Sequence, residues 1–313
     1  MLHRMLRKRR CLLAGFLIIM WVPACAFGEQ QSFRLEQSDH GKKLVTPDGR
    51  TVFQYMTQKP EVTNLSANST CCLYPLLTPK GVRVVDLAPG DHRHHRGVFL
   101  AWHAMEFADR ADFWGWGAMA PTNMRKITNR EIRLLKSNSQ YGTLLIRNDW
   151  EIDSRKVVDE QLTITTREKN SIYLIDLEYL LTPTENMTLD ESAFGGFCVK
   201  SRQDGKRAFF GPQGEVQRPK PHHLKPDTDW PNAPFYDFTF TLNDGTTAGV
   251  SVVNSSGNPP TRWHNLISIA MINPCIVTEG PVTIAKDQTL RLKYRLIVHD
   301  GQRPDDPSLL GRE

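Results

Sequence analysis

The feature that most constrains this chain is its hydrophobic period of two. From Leu290 to Val298 the apolar residues Leu290, Leu292, Tyr294, Leu296 and Val298 alternate with Arg291, Lys293 and Arg295. Successive side chains of a strand point to opposite faces, so this pattern describes a strand with one buried and one wet face. Tyr173, Ile175, Leu177, Tyr179 and Leu181 alternate in the same way with Asp176 and Glu178. Leu144, Ile146, Trp150 and Ile152 form a third such face, and Leu162 with Ile164 a fourth. Shorter runs at Arg50 to Met56, Gly81 to Leu87, Ala193 to Lys200 and Gly249 to Val253 read as further strands.

Turn residues punctuate these runs: Pro47-Asp48-Gly49, Asn243-Asp244-Gly245 and Ser256-Gly257-Asn258-Pro259. No stretch sustains an apolar period of 3.6 over three turns. The expected fold is therefore all-β, a large antiparallel β-sandwich. No repeat or Pro/Ser-rich linker divides residues 27–313, which are expected to form one domain. The Pro-rich segment from Gln213 to Pro234, with His222 and His223, reads as a long ordered loop.

Residues 1–26 read as a secretory signal. A basic start is followed by the apolar run Cys11 to Trp21 and by Ala24-Cys25-Ala26, a small-x-small cleavage site. A lipoprotein anchored at Cys25 is the minor alternative. Either way the expected location is periplasmic or secreted, with no transmembrane span in the mature chain.

The formal charge of +5 belongs to the same segment. Arg4, Arg7, Lys8, Arg9 and Arg10 account for five of 39 basic residues, which leaves 34 against 34 acidic ones. A neutral body argues against a nucleic-acid partner. Of the six cysteines, Cys71, Cys72, Cys198 and Cys275 remain in the mature chain. They allow three disulfide pairings or a set of buried thiols.

Chemistry concentrates in two places. The first is Asp91-His92-Arg93-His94-His95-Arg96-Gly97, followed by His103, Asp112, Trp114 and Trp116. If residues 92–96 are extended, His92, His94 and Arg96 share one face and His95 takes the other. An imidazole beside a guanidinium suits acid/base work with stabilisation of negative charge. A His-x-His pair also suits two metal ligands, with His103 as a third, so a divalent metal is a second reading. No cofactor is otherwise expected. The glutamate that a cupin-type site would place after His94 is replaced here by Gly97 and Val98.

The second constellation runs from Asn254 to Asn265 and presents Arg262, Trp263 and His264 after a Gly/Asn/Pro loop. A cation, an aromatic platform and an imidazole suit a sugar ring, which stacks its apolar face on tryptophan. The alternative is a loop anchor with Trp263 buried. No Gly-x-Ser-x-Gly elbow, Walker loop, Gly-x-Gly-x-x-Gly or Cys-x-x-Cys occurs.

With these motifs in view, the chain resembles a bacterial family of unknown function commonly labelled "methane oxygenase PmoA". The resemblance rests on Tyr74-Pro75-Leu76, Asp91 to Gly97, Asp112-Phe113-Trp114, the Asn254-to-His264 loop, Ile272-Asn273-Pro274 and Leu290 to Leu296. These run in family order. His92-Arg93 stands where the family often has His-Pro, and Asn254-Ser255 where it often has Asp-His. A membrane oxygenase subunit needs several apolar spans, and residues 27–313 contain none, so the oxygenase name does not fit the chain. The all-β pattern with clustered histidines looks more like a galactose-mutarotase-type supersandwich, a fold-level analogy. Secreted family members also look similar in setting to bacterial glycan-degrading systems.

The expected function is an exported carbohydrate-active enzyme working on a glycan or small sugar-derived substrate by acid/base chemistry, whether isomerase, lyase or glycosidase. His94 or His95 is the expected acid or base, with Arg96 stabilising charge and His264 as the complementary proton carrier. Asp112 is expected to orient a histidine. His92, His103, Trp114, Arg262 and Trp263 are expected to bind substrate. The alternatives are a non-catalytic glycan-binding module and a metal-dependent oxidoreductase with His92, His94 and His103 as ligands.

Overall fold

The computed structural model describes residues 31–216 and 230–310. The signal segment, Cys25, His222 and His223 lie outside the described residues.

Two antiparallel sheets dominate. One has nine strands in the order Gly214–Glu215, Lys206–Gly211, Phe235–Thr241, Thr247–Asn254, Leu290–Asp300, Ile172–Pro183, Arg155–Lys169, Tyr141–Ile152 and Arg125–Ser137. The other has seven: Arg34–Ser38, Gly41–Val45, Thr51–Met56, Cys72–Leu76, Val98–Ala101, Gly196–Lys200 and Met271–Ile272. A four-stranded and a two-stranded sheet complete the fold, and no α-helix occurs among the described residues. None of the helical structure there is long and apolar enough to cross a membrane. The all-β antiparallel expectation holds.

The alternation read from the sequence produces the interface between the two sheets. Leu177 pairs with Tyr294 and Ile175 with Leu296, so the apolar faces of Ile172–Pro183 and Leu290–Asp300 coincide. They bury against residues of the seven-stranded sheet in one continuous cluster, where the Phe197 and Tyr294 rings stack at 4.1 Å. Each fully buried aliphatic or aromatic side chain contributes about 1.5–3 kcal/mol. The position between Ile146 and Trp150 on this face is taken by buried Asn148. It donates to Tyr55 Oη and to Glu160 Oε1, both at 2.8 Å, so its polarity is satisfied inside the core.

Several readings change. The run Gly81 to Leu87 is not a strand; it pairs only through the isolated bridges Leu77↔Arg83, Val85↔Ser201 and Leu87↔Arg96. The edge strand Arg125–Ser137 was not legible. It carries bulges at Asn129/Glu131 and Leu134/Lys136, each of which resets the alternation. The outer face at the end of Leu290–Asp300 is buried, not wet. Ile297 joins Ile172, Leu174, Phe235, Val253 and Leu309 in a second cluster, and Arg295 donates to Leu309 O at 3.0 Å. The four cysteines are free and buried, and burial pushes each thiol pKa up.

The strand Gly196–Lys200 organises the site. It pairs on one side with Val98–Ala101, which follows the histidine cluster, and on the other with Met271–Ile272, which follows the His264 loop. Lys200 N donates to Gly97 O at 2.8 Å, and Lys200 is also the partner of Met271. Two segments some 170 positions apart are thereby held against one strand.

Candidate active site

Residues 91–96 do not extend. His92 N donates to Pro89 O and His95 N to His92 O, both at 3.0 Å, so the segment turns twice. The turns gather three imidazoles that an extended strand would have divided between two faces. His92 stacks on His95 with centroids 5.0 Å apart, and His94 meets His95 edge-on at 4.5 Å. Gly97 ends the turn at φ +49, and a Cβ there would lie 2.1 Å from Leu73 O, so no side chain fits.

A cavity of about 230 Å³ opens against this turn. Four imidazoles line it: His92, His94, His95 and, from the other constellation, His264. The two sequence motifs thus meet in one site. Trp116 and Phe194 form an aromatic wall with centroids 5.4 Å apart, and Phe194 also packs 5.4 Å from His264. Leu266, Ile269 and Met271 supply an aliphatic surface.

Electrostatics favour neutral imidazoles. Burial, then the neighbouring His92, Arg96 and His103, pull the His94 pKa down to about 4. His95 falls well below the usual value, chiefly through burial and then His94 and His92. A neutral imidazole keeps one N–H donor and one acceptor nitrogen, so these rings can take a second proton but are uncharged at neutral pH.

The remaining expected site residues sit behind the wall. Arg96 is completely buried and does not line the cavity. Its guanidinium donates to Trp114 O at 2.9 Å, Phe113 O at 3.2 Å and His94 O at 3.2 Å, and lies 4.3 Å over the Phe99 ring. It ties the histidine turn to the Asp112 turn, so the expected charge-stabilising role is not the one its geometry serves. Asp112 accepts from Gly115 N and Gly117 N, both at 2.6 Å. It holds the turn that projects Trp116, and its carboxylate is bonded to backbone N–H groups of that turn and not to a histidine. Trp114 is fully buried against Phe99 and His95.

His103 is buried, and its Nε2 lies 2.8 Å from Ser192 Oγ and 3.1 Å from Phe194 O. Its ring backs Phe194 at 4.4 Å. Among the described residues no three His, Cys, Asp or Glu side chains form a group that could hold a metal, so His92, His94 and His103 are not assembled as ligands. Trp263 is a loop anchor: fully buried, it donates Nε1–H to Ala233 O at 2.8 Å. Arg262 pairs with Glu279 at 2.6 Å and lies off the cavity.

Sequence reasoning left out Trp116, Phe194, Leu266, Ile269 and Met271 as site residues. Trp116 carried a signal, since a tryptophan between Gly115 and Gly117 sits in a turn and not in a core strand. The others had none, because an apolar residue lining a cavity reads like one lining the core.

No curated protein matches the chain. Among solved structures, a galactose mutarotase related enzyme from Lactobacillus acidophilus is similar over 85% of this chain and 97% of its own, at 8% identity and a TM-score of 0.40. The galactosidase domain of an alpha-galactosidase-sucrose kinase is similar over 87% of this chain at 11% identity and a TM-score of 0.38; the match spans 41% of that protein. An aldose epimerase homologue from C. elegans is similar over 87% and 99% of the two chains, at 8% identity and a TM-score of 0.34. Likenesses this loose carry nothing about the activity of this chain. The histidine turn, the Asp112 turn and the His264 loop all fall within residues 43–308, the part of the sequence by which the chain belongs to the family of unknown function DUF6807.

Proposed function

We propose that the chain is an exported carbohydrate-active enzyme that moves protons on a single sugar ring. One observation carries this reading: His94 and His264, from separate motifs, line the same cavity beside Trp116. At about 230 Å³ the cavity falls below the roughly 300–1,000 Å³ of sites for drug-sized ligands, which suits one ring and not an oligosaccharide buried along its length. Export rests on the signal read in residues 1–26.

His94 is the assigned base. Burial keeps its imidazole neutral, with a pKa of about 4, so an acceptor nitrogen stands open to a substrate proton at neutral pH. His264 is the partner on the far motif, and Trp116 the stacking platform. Among the described residues that line the cavity none is Asp or Glu, so the two-carboxylate arrangement of most glycosidases has no counterpart there. This favours isomerisation or elimination over glycosidic cleavage. The metal-dependent oxidoreductase reading attached to the PmoA label lacks a ligand group among the described residues.

The test is NMR of monosaccharides and their methyl glycosides with the full chain in D₂O, following anomer interconversion and exchange of carbon-bound protons. Either process accelerated by the protein, and lost in a folded His94→Ala variant, is the expected result. Sugar binding with neither process would instead indicate a glycan-binding module.

A further inference from the structure

The three aliphatic residues of the cavity come from one short hairpin. Leu266 N donates to Met271 O at 2.9 Å and Met271 N to Leu266 O at 3.0 Å, with a tight turn closed by Ala270 N to Ile267 O at 3.2 Å. Leu266, Ile269 and Met271 all face the cavity from this hairpin. The imidazoles come from elsewhere: three from the His92–His95 turn and one from His264. The cavity is therefore polar where the histidines stand and aliphatic along the hairpin.

A fully hydroxylated hexose carries hydroxyls around its whole rim. Those set against Leu266, Ile269 and Met271 would be desolvated without a partner, which is unfavourable. A methyl group in the same position would gain the apolar contact instead. From the two-sided lining we infer that the site selects a sugar bearing a methyl substituent, seated on the Leu266–Met271 hairpin, with its remaining hydroxyls toward the imidazoles. This rests on the reading of the cavity as a sugar site. A 6-deoxy ring and an N-acetylated ring both present such a methyl.

The experiment titrates the full chain, by saturation-transfer NMR, with matched pairs: L-fucose against L-galactose, L-rhamnose against L-mannose, and N-acetyl-D-glucosamine against D-glucose. At least one methyl-bearing member is expected to bind about 10–100-fold tighter than its parent, with the methyl protons receiving the strongest saturation. The pair that responds tells whether the methyl stands on C5 or on an acetyl group. Leu266→Asn is expected to remove the preference, and Ile269→Thr serves if the first variant does not fold. Parents that bind as tightly as their methyl-bearing partners overturn the inference while leaving the sugar site standing. Absence of binding by every sugar in the panel overturns both.

Discussion

The side chain of Asn273 and the backbone of Gly195 are bonded in both directions: Nδ2 donates to Gly195 O at 3.0 Å, and Gly195 N donates to Oδ1 at 3.1 Å. Nδ2 also donates to Phe197 O at 2.5 Å, and the Asn273 carbonyl accepts from His264 N at 2.8 Å. One fully buried asparagine thus fixes the base of the Phe194 wall and the backbone of His264. Gly195 tolerates no side chain, because at φ +138 a Cβ would lie 2.9 Å from Trp102. Asn273→Ala strands three buried backbone groups and is expected to cost about 3 kcal/mol, lowering Tm by roughly 5–10 °C. Thermal unfolding measures this; an unchanged Tm would show that the clamp contributes nothing.

Gly97→Ala is expected to yield no folded protein. The added methyl would meet Leu73 O at 2.1 Å, and that carbonyl belongs to a central strand that cannot retreat. A soluble variant with native circular dichroism would contradict the placement of the histidine turn.

The arginines separate by geometry. Arg96→Lys is expected to destabilise by about 3–5 kcal/mol, since an ammonium cannot reach all three carbonyls of the fork. Arg262→Ala removes a partly exposed pair with Glu279 and is expected to cost less than about 1 kcal/mol. Urea denaturation of the two variants side by side checks the contrast.

Glu160 is a buried carboxyl whose ionisation opposes folding. It accepts from Trp150 Nε1 at 2.6 Å and Asn148 Nδ2 at 2.8 Å, yet burial raises its pKa from 4.5 to about 7. The folded state therefore holds a proton that the unfolded state has released. The stability from this group is complete below about pH 4.5 and is lost as pH rises through 7, a change of about 3 kcal/mol. The lowered pKa values of His94 and His95 act in the opposite sense at acid pH, because the unfolded chain takes up their protons first. Stability measured against pH for the native chain and Glu160→Gln isolates the glutamate. The difference between the curves is expected to fall across pH 4.5 to 7, and a flat difference would contradict the assignment.

Legibility followed burial. Strands with one apolar and one polar face, such as Ile172–Pro183, could be read directly, because their periodicity records the sheet interface. Arg125–Ser137 could not, since its two bulges break the period. At the site the sequence identified His92, His94, His95 and His264 by composition and clustering, but misjudged which neighbours face the cavity. Trp114 and Trp116 are two residues apart and look alike in sequence, while one is fully buried and the other is 45% exposed on the cavity wall. Arg96 was expected to stabilise charge on the substrate and Trp263 to bind it. Their side chains instead satisfy backbone carbonyls, and apart from His94 O those partners are set by tertiary contacts across 17 or more positions.

The central claim is that the His92–His95 turn and His264 serve one ligand. The most direct measurement is a titration of protein labelled with ¹⁵N-histidine, its ring resonances assigned through single His→Ala variants. The account predicts that one sugar shifts the His94 and His264 resonances together with the same apparent Kd. A ligand that moves one of them and leaves the other unchanged at saturation would contradict it.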